Sequence, residues 1–145
     1  MKLKHFVQQL DRDRLIAAIK DAERGNSGDV VLFISHHKIV NVVSSAHATF
    51  SELKLAQTTP LNSVLIFVAP KSQQLAIIGG KDLHEKLPSE WWSNLVAKVT
   101  AHFANGELND GLINALSEIG VAQRIYFPTS QNIDRANQKD LLEDV

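Results

Sequence analysis

The chain contains no cysteine. That excludes a disulfide framework, a thiolate zinc site, an iron–sulfur cluster and a catalytic thiol. Glycine and proline together number 7 and 4, too few for long linkers or low-complexity segments. No charge of one sign dominates: 15 Lys and Arg face 16 Asp and Glu, for a formal charge of −1. A nucleic-acid partner would call for a basic surplus, so none is expected. The longest apolar run, Val64 to Ala69, is far short of the roughly 20 residues that a membrane helix needs. The opening segment from Met1 to Asp11 has two lysines but no apolar core of the signal-peptide kind. A cytoplasmic domain without a membrane span is therefore the expectation.

What is present is a chain of 145 residues, 44% of them hydrophobic. That suffices for one domain with a sizeable core. Apolar spacing predicts a helix from Asp11 to Arg24, with Leu15, Ile16, Ile19 and Ala22 on one face, Asp11 as cap and Gly25 as terminator. Asp29 to Ser35 and Ser63 to Ala69 are continuous apolar runs, the pattern of strands buried on both faces. Between them a helix capped by Ser44 or Ser45 and running to about Ala56 is expected. Lys71–Gln73 is a short turn, so Gln74 to Gly79 is a third strand antiparallel to the second. Ser89 to Ala104 carries the stripe Trp92, Leu95, Val96, Val99 and Phe103. A last helix, capped by Asn109, runs to Phe127-Pro128. Residues 129–145 hold two basic and four acidic side chains. They read as a polar, mobile tail with a single turn near Asp140 to Glu143. The resulting order, α-β-α-β-β-α-α, implies an α/β/α sandwich with a small mixed sheet. Residues 1–128 form its single domain.

A helix between the first two strands implies a right-handed parallel crossover. The starts of those strands and the end of the third then share one edge. Gly28 and Asp29, Asn62 and Ser63, and Gly80, Lys81 and Asp82 converge there as a candidate ligand-binding edge. Carboxylate and amide oxygens suit a hard cation such as calcium or magnesium, which makes Asp29, Asn62 and Asp82 the candidate metal ligands. The alternative is that these are ordinary loop residues serving turns.

Other chemistry is poorly supported. His36 and His37 are adjacent and point to opposite faces of an extended chain. His47, on the following helix, could approach one of them, whereas His84 and His102 have no partner at chelating spacing. Trp92 continues an apolar stripe, so packing suits it better than ligand stacking, and Trp91 is expected against the Leu83–Pro88 segment. Ser44, Ser45 and Ser63 lack a nucleophile elbow, and Gly79-Gly80-Lys81 is not a phosphate-binding P-loop.

The order of short motifs resembles the TPM domain family. Ala22-Glu23 with Ser27-Gly28-Asp29-Val30 is similar to its "AE…SGEI" opening. Ala46, Phe50, Leu53, Thr58 and Asn62-Ser63-Val64-Leu65-Ile66 resemble "A…F…L…T…NGVLI". Ala76-Ile77-Ile78-Gly79 with Trp92, then Phe103, Gly106, Gly111-Leu112, Ile119-Gly120 and Phe127-Pro128, complete the resemblance over residues 12–128. It implies an α/β/α sandwich, and an acid-phosphatase-like activity that uses calcium or a similar cation to hold phosphoryl oxygens and orient water. In that case Asp29 and Asp82 are the candidate catalytic residues. The sequence departs from the pattern where Gly80 stands for the usual Asp, Val31 for Arg, Ser63 for Gly and Asp29 for Glu. Loss of the carboxylate at Gly80 implies weakened cation binding. Two functions follow: a non-catalytic or weakly catalytic module that binds a protein or a small phosphorylated ligand, or a cation-dependent phosphatase. Many relatives carry a membrane anchor, and this chain is expected to be the bare domain.

Overall fold

The computed structural model describes residues 2–130 and 140–144. Its sheet has four strands: β1 (Val30–Ser35), β2 (Val64–Ala69), β3 (Gln74–Gly79) and β4 (Leu141–Asp144), in the spatial order β3-β2-β1-β4. β2 lies parallel to β1 and antiparallel to β3, as the connection lengths imply. Among the described residues six α-helices accompany it: α1 (Leu3–Gln9), α2 (Arg12–Glu23), α3 (Val42–Glu52), α4 (Lys81–Lys86), α5 (Ser89–Ala104) and α6 (Leu108–Tyr126).

The alternation of side chains along each strand divides the core in two. Val30, Leu32, Ile34, Val64, Ile66 and Val68 meet α1, α2, α5 and α6 on one face. Val31, Leu65 and Phe67 meet Ala46 and Phe50 of α3 on the other. Both faces are covered, so β1 and β2 are buried along almost their whole length. This is the expected three-layer sandwich, with most of its helices on one side.

Several local expectations change. Asp11 does cap α2, accepting from Arg14 N at 3.2 Å. The cap of α3 is Asn41 rather than Ser44 or Ser45, and its side chain accepts from Ser44 N at 3.0 Å. α3 ends at Glu52, and Leu55–Gln57 forms a separate 3₁₀ turn. Asn109 does not cap α6, whose first residue is Leu108. Its side chain instead accepts from Asp11 N at 2.9 Å and donates to Gln9 O at 2.8 Å, stitching the α1–α2 junction to α6.

The largest change is at the C-terminal end. In place of the turn expected near Asp140 to Glu143, residues 141–144 form β4, paired parallel to β1 in the register Leu32↔Leu141 to Ser35↔Asp144. The rest of the expected mobile tail falls largely on residues 131–139, outside the described residues. Glu143 anchors β4 from its side chain. It accepts from Arg12 Nε at 2.9 Å, pairs with the same guanidinium through Nη2, and meets His36 Nε2 at 2.8 Å. Burial raises its pKa, but the hydrogen bonds and charges of Arg12 and His36 outweigh that and hold it below the ordinary 4.5. His37 pairs with Asp144 at 3.4 Å on the exposed side. The two adjacent histidines thus take different partners.

Candidate functional site

The parallel crossover brings the predicted segments to one edge of the sheet. The ladder continues past the named strands there. Val64 N donates to Asp29 O at 2.9 Å, and Gly80 N donates to Ser63 O at 2.8 Å. Asp29, Ser63 and Gly80 are therefore neighbours in one row. By alternation Asp29 and Ser63 continue the α3 side of the sheet, on which Val31 and Leu65 lie. Asp29 is half-buried, and Ser63 is wholly buried. Among the described residues the Ser63 hydroxyl meets no hydrogen-bond partner.

Asn62 falls on the other side of the sheet. It is buried, its Nδ2 donates to Ser27 Oγ at 2.8 Å, and its carbonyl accepts from Gln123 Nε2 at 3.0 Å. Asp82 is engaged with backbone: Oδ2 accepts from Leu61 N at 2.8 Å, while Leu61 O accepts from Asp82 N at 2.9 Å and from Leu83 N at 3.2 Å. This reciprocal pair clamps the start of α4 to the loop that enters β2. Lys81, the first residue of α4, is exposed. Gly28 receives a turn from Asn26, whose Oδ1 accepts from Gly28 N at 2.7 Å.

Gly80 is a closed position. A Cβ built there would lie 2.6 Å from Leu61 O and 2.7 Å from Leu61 C. The obstruction is backbone, and the Asp82 clamp holds it in place. The chain therefore has no room for the Asp that the TPM pattern places at this point. Gly28 is closed similarly, with a Cβ 2.6 Å from Gln123 Nε2 and 2.7 Å from Asn62 O.

Calcium and magnesium need an oxygen-rich shell, with six or more donors for calcium. Asp29, Asn62 and Asp82 do not supply one as arranged. One Asp82 oxygen accepts from Leu61 N, the Asn62 side chain is oriented by its Nδ2 bond to Ser27, and Gly80 contributes no side chain. Among the described residues no group of three or more His, Asp or Glu side chains stands close enough to hold a metal ion. The remaining histidines agree with local roles: His84 stacks on Trp92 at 5.5 Å, and His102 lies 3.4 Å from Asn114 Nδ2. Trp92 is buried in the core, as its stripe implied.

Three further polar residues of this edge are not among the expected site residues, although Glu23 belongs to the motif quoted above. Glu23 is buried and its Oε2 accepts from Val30 N at 3.0 Å. Asn26 is buried and donates to Ala22 O at 2.7 Å. Gln123 is wholly buried; besides Asn62 O it reaches Asp29 O at 3.3 Å, while its own Oε1 has no partner among the described residues. A signal existed for two of them. Glu23 follows Leu15 and Ile19 at intervals of four, and Gln123 follows Ile119 by four, so both interrupt an apolar stripe with a polar group. Arg124 adds a clamp, its Nη1 donating to Asp21 O, Ala22 O and Arg24 O at 3.2–3.3 Å across the C-terminal end of α2.

This arrangement, a mixed sheet in an α/β/α sandwich with its polar residues gathered where β1 and β2 begin, defines the class of protein. The TPM domain family model matches residues 2–122, and the chain belongs to that family. It is similar over 89% of its length to the BA42 protein of the psychrophilic bacterium Bizionia argentinensis, solved by NMR, with 27% identity, a TM-score of 0.78 and 90% of that chain covered. The N-terminal domain of the cg2496 protein from Corynebacterium glutamicum shares the fold at 15% identity, with a TM-score of 0.59, over 88% of this chain and 83% of that one. No curated protein matches. Among the described residues no helix is long and apolar enough to cross a membrane.

Proposed function

We propose that this TPM domain is a binding module whose convergent edge holds a small phosphorylated ligand or a protein segment and has little or no hydrolytic power. One observation carries the reading. Gly80 is closed to a further carboxylate, one Asp82 oxygen is taken by Leu61 N, and the Asn62 side chain is tied through its nitrogen to Ser27. Of the charged residues predicted for this edge, Lys81 is exposed and is the one most open to a ligand. A second reading, the cation-dependent phosphatase, draws support from the buried Ser63 hydroxyl beside Asp29 in the ladder. There Asp29 would orient water.

Hydrolysis of a phosphate monoester, measured across pH with calcium, magnesium or manganese, separates the two. The binding reading expects turnover at background and no difference between wild type and Asp29→Ala. Metal-dependent turnover that Asp29→Ala abolishes would sink it. A parallel NMR titration with phosphoserine or inorganic phosphate should move the amide signals of Asp29 and Lys81.

A further inference from the structure

At the end of the sheet opposite the convergent edge, α1 folds over the β2–β3 turn and leaves a cavity of about 370 Å³. Gln74, at its rim, starts β3, while Gly79 of the convergent edge ends it. The two ends are about 17 Å apart along the strand. Phe6 and Phe103 meet edge to face at 5.7 Å and 78° in its lining, to which Leu75 also contributes. Phe6 is itself 1% exposed, so packing fixes its ring. The polar groups at the rim are all neutral: the amides of Gln73 and Gln74, and the hydroxyl of Thr100, which donates its proton to Val96 O at 2.9 Å and so offers lone pairs outward. Among the described residues no charged side chain lines the cavity.

We propose that this cavity is a ligand site for an uncharged, flat, largely apolar small molecule carrying one hydrogen-bonding group. Its volume falls in the range of small-molecule sites, at the lower end. The aromatic and aliphatic walls favour an apolar body. The neutral rim selects against ions, because a charge taken into such a pocket finds no counter-charge and loses its hydration. The amides can donate to, and the threonine oxygen accept from, a single polar substituent.

The neutral fluorophore phenylnaphthylamine is a suitable probe. Titration of the full chain should give a saturable, single-site rise in fluorescence. Thr100→Trp and Gln74→Trp fill the cavity from two walls, both from exposed positions. Each should weaken binding by at least about tenfold while circular dichroism shows an unchanged fold. If one variant misfolds, the other decides. The proposal is overturned by fluorescence that does not saturate, by binding undiminished in a folded variant, or by an anionic naphthalene sulfonate binding as tightly as the neutral probe.

Discussion

Substituting Gly80 tests the closed edge directly. In Gly80→Ala the new methyl would stand 2.6 Å from Leu61 O, 2.7 Å from Leu61 C and 3.1 Å from Asn62 N. All three are backbone atoms, so no rotamer change relieves the contact. Leu61 cannot retreat freely, because Asp82 holds both its N–H and its carbonyl and Leu83 N holds the carbonyl as well. Forcing an atom into a packed site costs about 1–3 kcal/mol. Weakening one or two of those hydrogen bonds adds about 0.5–1.5 kcal/mol each. An opposing contribution of about 0.4–1 kcal/mol comes from the stiffer unfolded chain, since φ of −59° and ψ of 153° suit alanine as well as glycine. The steric cost wins, and a net loss of about 2–3 kcal/mol is expected. For a domain of this size that lowers Tm by about 6–12 °C. Gly80→Asp should lose at least as much, and calcium should not restore it. Urea denaturation and calorimetry with and without calcium provide the assay. A Gly80→Ala protein as stable as wild type would show that the loop yields easily. A calcium-dependent rise in Tm confined to Gly80→Asp would show that the edge accepts the carboxylate after all; either result refutes the steric argument.

Other substitutions probe the same edge and the far strand. Asp82→Ala removes the acceptor for Leu61 N and should cost about 1–2 kcal/mol in chemical denaturation, with no change in phosphate-ester turnover. Gln123→Ala strips Asn62 O of its partner and opens a cavity beneath Gly28; a loss of about 2–4 kcal/mol is expected by the same measure, and a loss below about 0.5 kcal/mol would remove Gln123 from the account. The Glu143 anchor predicts a pH dependence. Its folded pKa lies below the ordinary 4.5, so its contribution is fully present above that value and disappears as pH falls through the folded one. Hydrogen exchange at Leu32 and His36, whose amides donate to Asp140 O and Asp144 O at 2.8 Å, should accelerate over that acid interval relative to core amides of β2. Glu143→Gln should remove the step.

The architecture was legible where burial imposes a pattern. The runs Val30 to Ile34 and Val64 to Ala69 lie between two helical layers, so almost every position is apolar and the strands announce themselves. The convergence of three segments followed from chain reversal alone, before any side chain was placed. β4 was not legible, because Leu141–Asp144 is short and half polar. Its extended state comes from β1, Arg12 and His36, all distant in sequence. Site residues were harder still. Composition marks Asp82 and Asn62 as candidate ligands, yet one Asp82 oxygen is taken by Leu61 N and the Asn62 side-chain nitrogen by Ser27, which only the folded geometry discloses. Glu23 and Gln123 were passed over because a polar residue on an apolar stripe looks like noise until its backbone partners are known.

β4 also bears on how the molecule is made. The strand that pairs with the outer edge of β1 is synthesised after every other element of the sheet, while its anchor Arg12 precedes them all. A chain growing from the N-terminal end can assemble β1, β2 and β3 with their helices. It must then wait with the outer edge of β1 open until residues 141–144 emerge. During that interval the nascent domain carries an unpaired strand edge that the finished domain does not.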